Sequence, residues 1–369
     1  MTHNGGLAFL TAACVLIGSS AQAKELRYNL FDVPRSATAQ VITKFFDDLR
    51  KETNGDLTTR IFTGGQLLNA PATLKGVGDR VVDGGFVVPS LNQGQLKHTN
   101  VIPDLLPFVT DSLVAAAAGV DTAVVGCEGC KDEFKAAKVV WLGGFGPDPW
   151  HLMCREPITK ADDLKGRKVR VTGASPTRLI RQLGGVPVQL PPTEIATAFQ
   201  GGQIDCACGP LVWLRDYALW DVAKSVVDAP FGVYGGLGTF TFNADTFASF
   251  TAPQRAAMLK LMPDSVINGT RLHLRSGDEA RKGAAAKGIS FWKPDDEFKK
   301  RVTEFRKSEI GNLTADMSKR GVANAEAVIR LHLANIDKWE KKLATIGNDP
   351  GRLIEELRKE VYAKSPVGK

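Results

Sequence analysis

Apolar and polar positions alternate through ELRYNLF, residues 25–31, the pattern of a strand with one buried face. In TAQVITKFFDDLRKETNG, Val41, Phe45 and Leu49 recur every four residues, the stripe of an amphipathic helix, and Gly55 stops it. DLTTRIF reads as a second strand, TGGQLL as a turn, PATLKGVGD as a helix, and RVVDGGFVV as a third strand ending at Pro89. The alternation of strand and helix predicts a mostly parallel sheet with helices on its faces.

The same grammar returns downstream. KVRVTG is a strand, SPTRLIRQLGG a helix, VPVQLP a strand, TEIATAFQGG a helix, and QIDCACGP a strand ending in proline. Two similar α/β units imply a cleft between them, and ligands of open α/β sheets sit beyond the carboxyl ends of the strands. Pro89, Arg170 and Gly209 fall at such ends. Two extended segments join the units: VVWLGGFGPDPWHLMCREP, residues 139–157, and GGLGTFTFNADTF, residues 235–247. Their glycines, near 146–151 and 235–239, fit hinges about which two lobes close. Thr251 is an N-cap with Pro253 just inside its helix, and Pro263 is expected to break or kink that helix. The remainder is mostly helical.

Arg170 stands between Val169 and Val171 in DLKGRKVRVTG, pointing away from them at the end of a buried strand. A guanidinium is costly to bury without a partner. It either pairs with an internal acid, such as Asp205 or Glu194, or it waits for an anion from outside.

The chain of 369 residues is long enough for two domains, with 43% hydrophobic and 24% charged residues. The net charge of +7 is spread out, with no basic and aromatic stripe of the kind nucleic-acid binders use. LAFLTAACVLIGSS followed by Ala21-Gln22-Ala23 reads as a secretory signal peptide over residues 1–23, although MTHNGG lacks a basic residue. Removal of the signal takes Cys14 away and leaves five cysteines in an oxidising compartment. An odd number leaves at least one thiol free or pairing between molecules. CEGC, with Cys127 and Cys130, is a local disulfide, half a zinc site or a redox pair, and export favours the disulfide. His98, His151, His273 and His332 have no metal-ligand spacing, and the sequence calls for no metal, cofactor or catalytic motif.

DLKGRKVRVTG, LGGVPVQLPPTE, AFQGGQID, PLVWLRDYALWDVAKSVV and FTFNADTFASFTAPQR, in this order, resemble the solute-binding proteins of tripartite ATP-independent periplasmic (TRAP) transporters. The resemblance covers essentially the whole chain after the signal. It implies an α/β, two-lobed periplasmic binding protein of the type II-like kind, braced by a long helix. Lobe I would comprise 24–147 plus about 236–275, lobe II 148–235 plus about 276–350, and a C-terminal helix or tail 351–369. It further implies a monomer in the periplasm that is no enzyme and hands an organic acid to TRAP membrane subunits.

By the same resemblance Arg170 is the carboxylate anchor, and Phe31, Val88, Gly173 and Pro192 face the ligand. Trp150 stands where many relatives carry a second basic residue, and Gly209 where many carry asparagine; Trp213 and Pro89 complete the expected lining. A lining so apolar predicts a monocarboxylate with an apolar or aromatic body rather than a dicarboxylate or sugar acid. In this fold the strands bearing Cys154 and Cys206 are neighbours, which implies a second disulfide beside Cys127–Cys130 and a free Cys208. A periplasmic thiol-redox enzyme and a ligand-sensing partner of a receptor are the competing readings; the first requires an exposed cysteine of low pKa.

Overall fold

The computed structural model describes Met1, residues 24–347 and residues 349–368. The expected signal peptide, Met1 apart, lies outside them.

Eleven strands form two sheets among the described residues. The first contains β1 (Lys24–Asn29), β2 (Leu57–Phe62), β3 (Gly84–Val87), β4 (Val139–Trp141) and, from much later in the chain, β10 (Gly238–Asn243). Their spatial order is β2-β1-β3-β10-β4. The second contains β5 (Trp150–Cys154), β6 (Lys168–Val171), β7 (Val186–Gln189), β8 (Cys206–Pro210), β9 (Ser225–Val227) and β11 (Ser290–Trp292). Its order is β11-β9-β5-β8-β6-β7. Within each unit the successive strands pair in parallel, β1 with β2 and β3, β6 with β7 and β8. The strands next to a crossing run antiparallel: β10 against β3 and β4, β5 against β8 and β9. A segment that returns from the other unit enters its sheet from the opposite end, which reverses its direction.

The helix predicted around Val41, Phe45 and Leu49 spans Ala37–Glu52 and buries all three. The helix after Thr251 runs as one element from Ala252 to Ala286, with the Thr251 and Gln254 side chains forming a reciprocal cap. Of the expected break or kink at Pro263, the break does not occur. Proline within a helix costs about 3 kcal/mol. Here the helix buries Met258, Met262, Val266 and Ile267 and packs against Ala37–Glu52, Ser112–Val120 and Trp213–Asp216, contacts with both units that outweigh the local penalty. The C-terminal tail closes onto the first crossing, where Tyr362 donates its hydroxyl to the Leu142 carbonyl at 2.8 Å.

Two disulfides tie the fold. Cys127 and Cys130 are bonded at the start of helix Glu128–Ala136, and Cys154 is bonded to Cys206. The second pair sits directly opposite across the antiparallel β5–β8 ladder, with Cα atoms 4.0 Å apart.

Candidate functional site

β6 is covered on both faces, so Val169, Arg170 and Val171 are all buried and Arg170 is 0% exposed. Its neighbours in the sheet are Val188 of β7 and Ala207 of β8. From there the guanidinium reaches past the strand ends. Nε donates to the Leu190 carbonyl at 2.8 Å and Nη1 to the Cys208 carbonyl at 3.2 Å, while Nη2 has no partner among the described residues. Neither acid considered from the sequence pairs with it. Asp205 accepts from the Lys168 backbone at 2.8 Å, and Glu194 is exposed. Burial pulls the Arg170 pKa down to about 10, so it stays cationic at neutral pH.

Trp213 covers this cation, its ring centroid 4.9 Å from the guanidinium carbon. Trp150 opens β5 opposite Pro210, at the cleft end of β8. Its indole stacks on Tyr234 at 5.4 Å and tilts against Trp213 at 6.2 Å. The first sheet supplies the facing wall, where Phe31 stacks on Phe86 at 4.9 Å beside Val88. Phe145 comes from the first crossing and stacks on His273 of the long helix at 4.2 Å. Together these residues line a cavity of about 60 Å³.

Of the residues singled out in the sequence, Phe31, Val88, Trp150, Arg170, Pro192 and Trp213 border this cavity. Pro89, Gly173 and Gly209 do not. A Cβ on Gly209 would lie 2.0 Å from the Trp213 ring, so the missing side chain is what lets the indole lie over β8. Gly173 has φ +89° and precedes helix Ala174–Gln182, where a Cβ would come within 3.0 Å of the Asp104 carboxylate. Pro89 opens a tight turn, and its carbonyl accepts from the Asn100 amide at 3.0 Å.

Sequence reasoning missed Asp32, Thr38, Phe86, Phe145, Thr172, Tyr217, Tyr234 and His273, which also border the cavity. Some signals were available. Asp32 follows Phe31, Thr172 extends the strand of Arg170, and Tyr217 lies one helical turn beyond Trp213. Phe145 lies in one glycine-rich crossing and Tyr234 just before the other, both without periodicity, so nothing local marked them.

The two units touch through polar contacts around the cavity. Asp104 accepts from the Ala174 and Ser175 backbones at 2.8 and 3.1 Å, at the start of a helix in the other unit. Asp216 reciprocates by accepting from the Ala37 backbone at 2.9 Å. The hydroxyls of Thr172 and Tyr234 donate to Ser90 Oγ, both at 2.9 Å. Asp148, in the first crossing, accepts from the Val212 backbone at 3.2 Å. Burial pushes its carboxyl up to about 8 and Asp104 up to about 6.

Thiol chemistry finds no support in this geometry. All five described cysteines are buried, four of them in disulfides, and burial pushes the Cys208 thiol up to about 12. A reactive thiolate needs the reverse, a lowered pKa and access.

The sequence matches the family model of bacterial extracellular solute-binding proteins, family 7, over residues 33–313. A protein of Comamonas testosteroni named an outer membrane transporter protein is 23% identical over 319 residues, 86% of this chain and 93% of its own length. The 2,3-diketo-L-gulonate-binding periplasmic protein of Escherichia coli is 27% identical over 214 residues, 56% of this chain and 62% of that protein. Among solved structures, a TRAP solute-binding protein of Rhodoferax ferrireducens in complex with copurified benzoate has a TM-score of 0.75 at 21% identity, covering 87% of this chain and 99% of that one. Another, from Bordetella bronchiseptica with bound mandelate, has a TM-score of 0.74 at 22% identity, covering 86% and 99%. Such likenesses establish the shared two-lobed fold.

Proposed function

The chain belongs to the bacterial extracellular solute-binding proteins of family 7, and from that premise we propose that it captures a monocarboxylic acid with an aromatic body, anchored by Arg170. One observation carries this reading: a fully buried cation with a donor to spare, Nη2 of Arg170, in a cavity walled by aromatic rings. A carboxylate accepts two parallel hydrogen bonds from such a fork and supplies the missing charge. An ester or amide supplies neither the charge nor the second strong acceptor.

The fold alone does not choose the acid. Structures sharing it hold benzoate, mandelate, pyroglutamate and galactonate. The lining does the choosing. Trp150 and Trp213 border the cavity, and among the described residues no second arginine or lysine does, so nothing there meets a second carboxylate. Rings of this kind add roughly 0.5–1.5 kcal/mol each beyond area burial when they meet another ring.

In this reading the protein is a periplasmic monomer, exported by cleavage after Ala23, that closes on its ligand by hinge motion at the two crossings. It then presents the acid to TRAP membrane subunits. A thermal-shift screen of the mature protein tests the ligand class, because a ligand that binds only the folded form raises the melting midpoint by mass action. Aromatic monocarboxylates are expected to give the largest shifts. A larger shift with C4-dicarboxylates or hexonates would overturn the assignment.

A further inference from the structure

The cavity is not uniformly apolar away from Arg170. Asp32, Thr38, Tyr217 and His273 also border it. Tyr217 donates to Asp32 Oδ1 at 2.7 Å, the Val33 backbone donates to the same oxygen at 2.9 Å, and Thr38 Oγ1 lies 3.4 Å from His273 Nε2. Asp32 is 5% exposed. The groups that act most on its carboxyl are Tyr217, Val33, Thr38 and the like-charged Asp216, and among the described residues no cation forms an ion pair with it, although Arg170 borders the same cavity. Burial pushes it up to about 6, so it is still mostly ionised at neutral pH.

A buried carboxylate without an ion-pair partner is expensive unless hydrogen bonds satisfy it. An ionised carboxylate offers about four acceptor sites. Tyr217 and Val33 take two of them, both on Oδ1, and the carboxylate borders the cavity where the ligand would lie. We propose that Asp32 is a second recognition point, accepting a hydrogen bond from a hydroxyl that the aromatic acid carries away from its carboxylate. The ligand class narrows accordingly to hydroxylated aromatic monocarboxylic acids. This rests on the reading of Arg170 as the carboxylate anchor and adds a specificity determinant to it.

The physical expectation is a strong preference. A hydroxyl donating to a carboxylate makes a charge-assisted bond, about twice as strong as a neutral one. An analogue without the donor displaces water and leaves the buried acceptor unpaired, which is how polar sites reject isosteres. His273 is held neutral, its pKa lowered to about 3 by burial, so it adds no charge that would satisfy Asp32 in the ligand's place.

Calorimetry decides the matter, with benzoate, the three hydroxybenzoates and the three methylbenzoates titrated into the wild type and into Asp32→Asn. The methyl group matches the hydroxyl in size but cannot donate. The asparagine keeps an oxygen to accept from Tyr217 and Val33 and replaces the other acceptor with an NH2 donor. At least one hydroxybenzoate should bind the wild type about tenfold or more tightly than its methyl isomer. In Asp32→Asn that preference should shrink to within about threefold, with benzoate itself much less affected.

Equal affinities for hydroxy and methyl isomers in the wild type would overturn the proposal, and this arm needs no variant to fold. A preference that survives in Asp32→Asn would also overturn it, leaving Asp32 only as the tie to Tyr217. Tighter binding of an ammonium-bearing acid such as 4-(aminomethyl)benzoate would replace the hydroxyl with a cation. Failure of every benzoate to bind would instead sink the aromatic-acid reading itself, and this inference with it.

Discussion

Replacing Arg170 with methionine removes the cation while keeping much of the side-chain volume. In the free protein two effects oppose each other. The Leu190 and Cys208 carbonyls lose their donors, at about 1–3 kcal/mol for each buried group left unsatisfied. Against that, a fully buried guanidinium with no carboxylate partner, whose pKa burial already pulls down to about 10, is no longer held away from water. The net change in melting temperature is expected to be a few degrees. The liganded protein has no such offset. There the methionine leaves a carboxylate buried without its partner, which costs roughly 3–5 kcal/mol. At about 1.4 kcal/mol per factor of ten, affinity falls by about two to nearly four orders of magnitude. Isothermal titration of wild type and variant with benzoate or a hydroxybenzoate measures this directly, with circular dichroism to show that both are folded. Arg170→Lys should fall between them, because it keeps the charge but loses the fork. A loss smaller than about fivefold in Arg170→Met, or a methyl ester that binds the wild type as well as the acid, would refute the anchor.

Two further outcomes follow from the buried acids and the disulfides. Asp148 titrates near 8 in the folded protein against an ordinary value near 3.9, so its contribution to stability is full below about 3.9 and is lost as pH rises through about 8. His151, His273 and His332, lowered to about 4, 3 and 3, act in the opposite sense only below their ordinary value near 6.5. Between about pH 6.5 and 8 the melting temperature should therefore fall with rising pH, and Asp148→Asn should flatten that slope; an unchanged slope in the variant counts against the buried carboxyl as its source. Chain entropy assigns the Cys154–Cys206 bond, spanning 52 residues, about 4 kcal/mol, and the Cys127–Cys130 bond, spanning 3, under about 2 kcal/mol. Denaturant unfolding of the Cys154→Ser/Cys206→Ser double variant should show the larger loss, and the reverse order would contradict the loop-length argument.

Much of the architecture was legible because period and punctuation carry it. The alternation of ELRYNLF and KVRVTG, the stripe of Val41, Phe45 and Leu49, and the stops at Gly55 and Pro89 mark elements from local geometry alone. Arg170 drew attention for a local reason too, a permanent charge within a buried strand. Pro263 does not break its helix because its penalty is local and fixed, whereas the packing that overcomes it comes from distant parts of the chain such as Ala37–Glu52 and Ser112–Val120. Gly209 and Gly173 were assigned to the ligand, but each makes room for a protein group, Trp213 in one case and Asp104 in the other. A missing side chain signals close approach without saying what approaches.

The sequence by itself determined that two α/β units exist, that a cleft separates them, and that a guanidinium stands at a strand end beside it. Each of those follows from short-range periodicity and from the cost of burying charge. Only the tertiary structure decided what fills the cleft. Neither Asp205 nor Glu194 pairs with Arg170, Phe145 arrives from one crossing and Tyr234 from just before the other, and Asp32 meets Tyr217 across a separation of 185 residues. Periodicity states which face of an element is buried. Which buried faces meet depends on how the crossings and the long helix set one sheet against the other, and that is a property of the folded chain as a whole.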